Sequence, residues 1–575
     1  MSKISNAAKK MHTAKVEHHD ERETNFMGGT SYKLNPLETL KMVACSSIFG
    51  EPKYYREGMK DGEYTTTDTH DFHTPYTVPG CIIGDHYNGK TTSQVFEEVI
   101  DKALDYDFRG TIKFAMDLRH DYFMRLNPQI IMVRASIHPG RKEFTEQNPG
   151  MFNAAQQAVM KRADEPATQC AYYLFTNKGD KNKMPSILKR SIAYRLSKCT
   201  PYEINKYKNA EIGMINAVRI THASSEPLNE LMKTGTIVME DDSEMTWEQH
   251  RSAGKTWKEI VELDCMPHMA MLRNIRNVFT EIEDISVCKK YMEKLKNGVP
   301  KGKQFPFRYE SAYKMIRQCN DIHHKGFIMD ELEECIDIAI DNLPKLKGKT
   351  MCLSDNSGSA WGQFTSEFGT ETVAEIDNLS SVIAGKCSED EAIVGKFGDT
   401  LIEYPVSKRN GALSQAEKIS DNRTSDVGGS TEGGIWKFFR DAIEKKRWFD
   451  NIFIFSDQQA GTGGLYGTRR DMDEYLDKYG CRFSGWRRDE AYIDVFKLTL
   501  EYRKKVNPKV NIFSVQTGGY KNAVIPMMTY RCAILYGWTG KEVLFAKKYI
   551  DEWDAVENAR DSKDSTPWFL NGQND

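Results

Sequence analysis

Met351-Cys352-Leu353-Ser354-Asp355-Asn356-Ser357-Gly358-Ser359 is a short apolar run that stops at a carboxylate followed by two hydroxyls at alternate positions. Such a run reads as a buried strand, and the polar residues after it as a tight loop that turns three oxygens inward. Further short apolar runs come downstream, each ending in polar or glycine residues: Ala392-Ile393-Val394, Leu401-Ile402-Glu403-Tyr404, Asn451-Ile452-Phe453-Ile454-Phe455, Val510-Asn511-Ile512-Phe513-Ser514-Val515 and Cys532-Ala533-Ile534-Leu535. Helical stretches separate them. Mostly apolar strands alternating with helices predict a largely parallel sheet covered on both faces. In such a sheet the ligand site lies beyond the carboxyl ends of the strands, at the topological switch point.

Two more loops fit that placement. Gly428-Gly429-Ser430-Thr431 precedes a helix that starts near Ile435, and Asp457 caps the run ending at Ser456. Hard oxygen donors from three loops suit Mg²⁺, which prefers octahedral oxygen ligation and keeps several waters. Asp355, Ser357, Ser359, Ser430, Thr431 and Asp457 are therefore the candidate metal ligands. The alternative is a polar first loop with no metal, since Asp and Ser are common turn residues. Gly461-Thr462-Gly463-Gly464-Leu465-Tyr466-Gly467 lacks the Gly-Lys-Ser/Thr ending of a phosphate-binding loop and reads as a flexible loop beside the site.

Upstream, from about Leu37 to Lys345, the apolar period is helical. Val95, Val99 and Leu104, then Leu188, Ile192 and Leu196, then Leu332, Ile336, Ile338 and Leu343 mark stripes on short helices. Asn127-Pro128, His138-Pro139-Gly140 and Thr200-Pro201 punctuate them. Short helices need neighbours to bury their stripes, which predicts an array of helix pairs. The segment Pro344-Lys345-Leu346-Lys347-Gly348-Lys349 reads as a linker. The reading divides the 575 residues into a flexible arm over 1–33, a helical-repeat domain over 34–345, a sheet domain over 346–555 and a tail over 556–575.

Lys plus Arg number 79 against 82 Asp plus Glu, a net charge of −3. This excludes a globally basic nucleic-acid binder but leaves room for a local patch. Such a patch lies between Lys178 and Lys208. On a helical wheel Arg190 and Tyr194 oppose the Leu188, Ile192, Leu196 stripe, Ser191 and Lys198 flank them, and Arg195 borders the stripe. Lys183, Lys189, Arg190, Tyr194, Arg195 and Lys198 together could neutralise phosphates and stack on a base; the alternative is an ordinary solvated helix face. Twelve cysteines without a Cys-x-x-Cys pair suit reduced thiols, hence a cytoplasmic setting. No stretch of about 18 uncharged apolar residues suggests a membrane span. Paired His motifs and clustered carboxylates of a metal nuclease are not found, so the expected protein is not an enzyme.

Several motifs then carry a resemblance. The order Asp-x-Ser-x-Ser, hydroxyl loop, Asp resembles the metal-ion-dependent adhesion site of von Willebrand factor A domains, in which Thr usually follows Gly-Gly directly. Here Ser430 holds that register and Thr431 comes next, so either hydroxyl fits. Pro185 to Leu196 with Tyr202 to Tyr207, Asn216 to His222, Met266 to Asn277, and Phe305 to Tyr313 resemble the TROVE domain of the Ro 60 kDa autoantigen family. The resemblance covers about residues 35–550. It implies a multidomain chain: an all-α ring of HEAT-like helical repeats plus a doubly wound, Rossmann-like α/β A domain. It implies a noncatalytic, monomeric RNA-binding protein acting in RNA quality control or ribonucleoprotein assembly. Its partners would be small noncoding RNA of the Y type, single-stranded 3′ ends of misfolded RNA, and an exoribonuclease or other protein captured through the metal site. His222, Arg273 and Arg276 join the candidate RNA contacts on this ground, although His222 also suits a packed histidine and the arginines also suit helix capping. A metal-dependent protein-binding scaffold without RNA function is the alternative.

Overall fold

The computed structural model describes residues 22–24, 30–45, 87, 89–209, 212–237, 245–302, 304–361, 372–429, 431–460, 494–518, 522–526, 529–537 and 542–561. Among them a run of tandem α-helices is followed by a mixed α/β sheet, as the two periodicities predict. The chain forms two compact units. One comprises residues 35–44 and 49–266, the other residues 1–34, 45–48 and 267–575. The helices from His268 to Asp341 continue the tandem series, yet they belong to the unit that contains the sheet. No described helix is long and apolar enough to cross a membrane.

In the helical unit each helix packs on near neighbours in sequence. Phe108–His120 packs on Asn127–Ile137, Asn127–Ile137 on Glu165–Thr176, and Ser186–Leu196 on Glu165–Thr176 and Met214–Thr221. Local chemistry sets the ends. Thr91, Thr200, Thr246 and Thr256 each close a capping box with the residue three positions on, and Pro201 opens its helix where a missing N–H costs nothing. Buried glutamines join the layers: Gln169 Nε2 donates to Gln129 Oε1 at 2.8 Å, and Gln129 Nε2 donates to Val159 O at 2.9 Å.

In the other unit, β1 (Arg22–Thr24) and β2 (Thr30–Lys33) form an antiparallel pair inside the segment expected as a flexible arm. The main sheet contains β3 (Thr350–Asp355), β4 (Ala392–Phe397), β5 (Leu401–Pro405), β6 (Asn451–Ser456) and β7 (Asn511–Gln516). The short β8 (Asn522–Ala523) pairs with β2 instead, and Tyr32 is buried there edge-on to Phe496, 5.9 Å between ring centroids. β9 (Cys532–Tyr536) completes the main sheet in the order β5-β4-β3-β6-β7-β9. Only the edge strand β5 runs antiparallel.

β3, β6 and β7 are buried along their whole length because helices cover both faces. Met351, Leu353, Ile452, Ile454 and Ile512 pack on the helices Glu432–Glu444 and Val495–Lys505 through Phe438, Phe439, Leu498 and Tyr502. The alternate residues face the helices Val373–Lys386 and Glu542–Asp561: Ser354 Oγ donates to Asn378 Oδ1 at 2.7 Å, and Phe513 meets Tyr549 edge-on. The order reverses between β3 and β6, so their carboxyl ends flank the switch point.

Candidate functional site

Asp355 ends β3 and Asp457 follows β6, so the switch point brings two buried carboxylates together. The Ser357 N–H donates to Asp355 Oδ1 at 2.9 Å, and Ser456 Oγ donates to Asp355 Oδ2 at 2.6 Å. Ser359 Oγ donates to Asp457 Oδ2 at 2.7 Å and lies 3.3 Å from Ser357 Oγ. Gly358 N–H donates to Gly429 O at 2.9 Å, which seats the second loop against the first. Thr431 is buried at the start of the helix Glu432–Glu444 and makes no side-chain cap bond there. Ser430 and the Gly461–Gly467 loop lie outside the described residues.

Two further residues shape this cluster. Ser456 supplies the hydroxyl that Asp355 accepts. Asp377, on the helix Val373–Lys386, is fully buried, and burial, then the charges of Asp355 and Asp457, push its carboxyl well above the usual range against the Thr517 hydroxyl. A signal for Asp377 existed in the sequence. That signal was only indirect: the helix mixes Asp377, Asn378, Ser380 and Ser381 with its apolar residues, and it is the packing of both its faces that buries them.

The expected Mg²⁺ does not survive. Among the described residues, no group of three or more His, Cys, Asp or Glu is placed to hold a metal ion. The loop oxygens instead satisfy one another. Burial and the neighbouring Asp457 push the Asp355 carboxyl up to about 7, with the Ser456 and Ser357 hydrogen bonds opposing. A hard cation takes its charge balance from clustered carboxylates, and the described loops bring together too few acidic ligands. Asp355, Ser357, Ser359 and Asp457 form a self-bonded network and do not fit the ion. Without the ion, partner capture through this cluster has no metal to act through.

The second candidate site is the basic helix Ser186–Leu196. Leu188, Ile192 and Leu196 are fully buried, with Ile187 and Ser191 beside them. On the far side Arg190 is exposed and bonds only back to the Ser186 carbonyl at 3.3 Å. Tyr194 is 56% exposed, and Lys198 Nζ lies 5.5 Å from its ring centroid. Lys189 is partly buried, and Lys183 is exposed in a one-turn helix near Asp180. Arg195 turns inward. Its guanidinium donates to Met160 O, Lys161 O and Glu203 Oε1 at 3.1, 2.9 and 3.1 Å.

His222 is exposed and ends the helix Met214–Thr221 in a left-handed conformation, φ 58°. Arg273 and Arg276 are exposed on the helix His268–Glu281, whose inner face is Met271, Leu272, Ile275, Val278 and Phe279. These two arginines belong to the unit that contains the sheet, and the Lys183–His222 group belongs to the other. Tyr202, Lys206, Tyr207 and Arg162 were not among the expected contacts. Arg162 lies 4.9 Å over the Tyr207 ring, and Lys206 lies 5.7 Å over both Tyr202 and Tyr207.

The fold is a series of tandem helices joined to a doubly wound α/β sheet. That same fold is found in the crystal structure of the Ro (Rsr) protein of Deinococcus radiodurans, which aligns with a TM-score of 0.53 and 12% identity over 90% of this chain and 99% of that chain. The PilB minor pilin of Streptococcus sanguinis aligns over 37% of this chain and 61% of its own, with 12% identity and a TM-score of 0.23, too low to carry an argument. No protein-family model and no curated protein matches the chain.

Proposed function

We propose that this chain is a noncatalytic RNA-binding protein that holds small noncoding RNA of the Y type and the single-stranded 3′ ends of misfolded RNA. Its setting is cytoplasmic RNA quality control or ribonucleoprotein assembly. The observation that carries this reading is the outer face of the helix Ser186–Leu196. There an exposed arginine, an exposed tyrosine and a lysine over its ring share one face, on a chain whose overall charge is close to neutral. Local positive charge of this kind gathers phosphates, and an accessible aromatic ring accepts a base. The fold shared with the Ro protein of D. radiodurans supports the same reading.

The test is binding of a structured RNA with a single-stranded 3′ tail to the full chain and to the Arg190→Glu, Lys198→Glu double variant. Affinity should fall severalfold in the variant and decline steeply with salt in the parent chain. Equal affinity for both proteins removes this face from RNA recognition. Cleavage of the RNA by the purified protein would overturn the noncatalytic reading.

A further inference from the structure

The surface beside the basic helix carries a second aromatic–cation unit. Ser197 to Thr200 connect the helix Ser186–Leu196 to the helix Pro201–Tyr207. Between Pro185 and Lys208 the basic residues are Lys189, Arg190, Arg195, Lys198, Lys206 and Lys208, against the single acid Glu203. That acid is already engaged. Glu203 Oε2 accepts from the Thr200 N–H at 3.0 Å, and Oε1 accepts from Arg195 at 3.1 Å. The second bond ties the first turn of one helix to the last turn of the other.

Each helix presents one tyrosine to solvent, Tyr194 at 56% and Tyr202 at 42% exposure. Each ring is followed one turn later by a lysine that lies over it: Lys198 Nζ at 5.5 Å from Tyr194, and Lys206 Nζ at 5.7 Å from Tyr202. A tyrosine with a cation four residues on combines a π-face with a positive charge just beyond the ring. A nucleotide presents the matching pair, a flat base and a phosphate. In a duplex the base faces are covered by their neighbours, so only unpaired bases can reach such a ring.

We propose that Tyr194 and Tyr202 are two base-stacking platforms for single-stranded RNA, with Lys198 and Lys206 holding the phosphates next to the stacked bases. This rests on the proposed RNA-binding function and adds the residues that distinguish unpaired from paired RNA. The Glu203–Arg195 ion pair joins the two helices that carry the platforms.

The test uses the full chain and the variants Tyr194→Ala, Tyr202→Ala, Tyr194→Phe and Tyr202→Phe. The probes are a short single-stranded oligoadenylate, an abasic oligonucleotide of the same length and charge, and a blunt RNA duplex. Each alanine variant should lose about fivefold or more in affinity for oligoadenylate. The phenylalanine variants should retain it, and none of the variants should change affinity for the abasic or duplex probes. Unchanged oligoadenylate binding in the alanine variants overturns the platforms, as does an equal loss on the abasic probe. If the Arg190→Glu, Lys198→Glu variant also binds every probe like the parent chain, the RNA-binding reading of this face fails as well, and the two failures are told apart.

Discussion

Replacing Arg195 with alanine removes four contacts together: two backbone carbonyls, the Glu203 carboxylate, and the Cys199 sulfur at 3.3 Å. The carbonyls of Met160 and Lys161 come just after the end of the helix Met151–Val159, where backbone acceptors have no partner within the helix. The Arg195 side chain is 13% exposed and Glu203 30%, so the lost bonds are only partly replaced by water. A hydrogen bond to a charged group contributes about 1.5–3 kcal/mol, and the partly exposed ion pair contributes less than a buried one. Together these give a loss of about 3 kcal/mol, which lowers the melting temperature of a unit this size by roughly 6–12 °C. The matched control is Arg190→Ala. Arg190 bonds only to its own helix, so its removal should change stability by no more than about 0.5 kcal/mol. Thermal unfolding by circular dichroism and RNA affinity below the transition separate the two. Arg195→Ala should melt early and, while folded, bind RNA with less loss than Arg190→Ala. An Arg195→Ala protein that melts like the parent chain but loses RNA affinity would refute the inward role of this residue.

The sheet unit offers further tests. The Asp355 carboxyl titrates near 7 in the folded chain and near 3.8 when unfolded, so the folded state binds more protons between those values and stability falls as pH rises through them. Asp355→Asn lacks this loss, and its stability relative to the parent chain should improve by about 3 kcal/mol between about pH 5 and about pH 8, measured by urea unfolding; a difference that does not move with pH contradicts the shift. Because the carboxylates and hydroxyls bond one another, adding Mg²⁺ or a chelator should leave the melting temperature unchanged, and a clear rise with Mg²⁺ would restore the ion to the Asp355–Asp457 cluster. Gly398→Ala should destabilise strongly, since a Cβ there would lie 2.5 Å from Gly428 O and 2.6 Å from Val427 O, both backbone atoms that cannot step aside. A normally melting, soluble G398A protein would show that the 427–429 loop is not held against Gly398.

The periodicity of the chain carried most of the fold because burial follows it directly. Leu188, Ile192 and Leu196 at spacing four lie on one helix face and all three are buried. The apolar runs around Cys352, Phe453 and Phe513 are too short for helices and became the central strands, covered on both faces. The meeting of Asp355 with Asp457 was also legible, since residues that end parallel strands at a switch point converge. What those residues do with one another was not. A carboxylate beside hydroxyls is the same sequence whether it holds an ion or a hydrogen-bonded network, and the choice depends on distances of a few tenths of an ångström.

Sequence alone therefore determined the helical and strand character of the two main segments and which faces of their elements turn inward, because side-chain hydrophobicity and backbone geometry are local properties. Tertiary structure alone decided the rest. It bonded Arg195, at the border of the apolar stripe, to the carbonyls of Met160 and Lys161, paired β2 with β8 across nearly five hundred residues, and grouped the helices after Met266 with the sheet. Each of these depends on a partner distant in sequence, and no local pattern encodes which distant group will be within hydrogen-bonding reach.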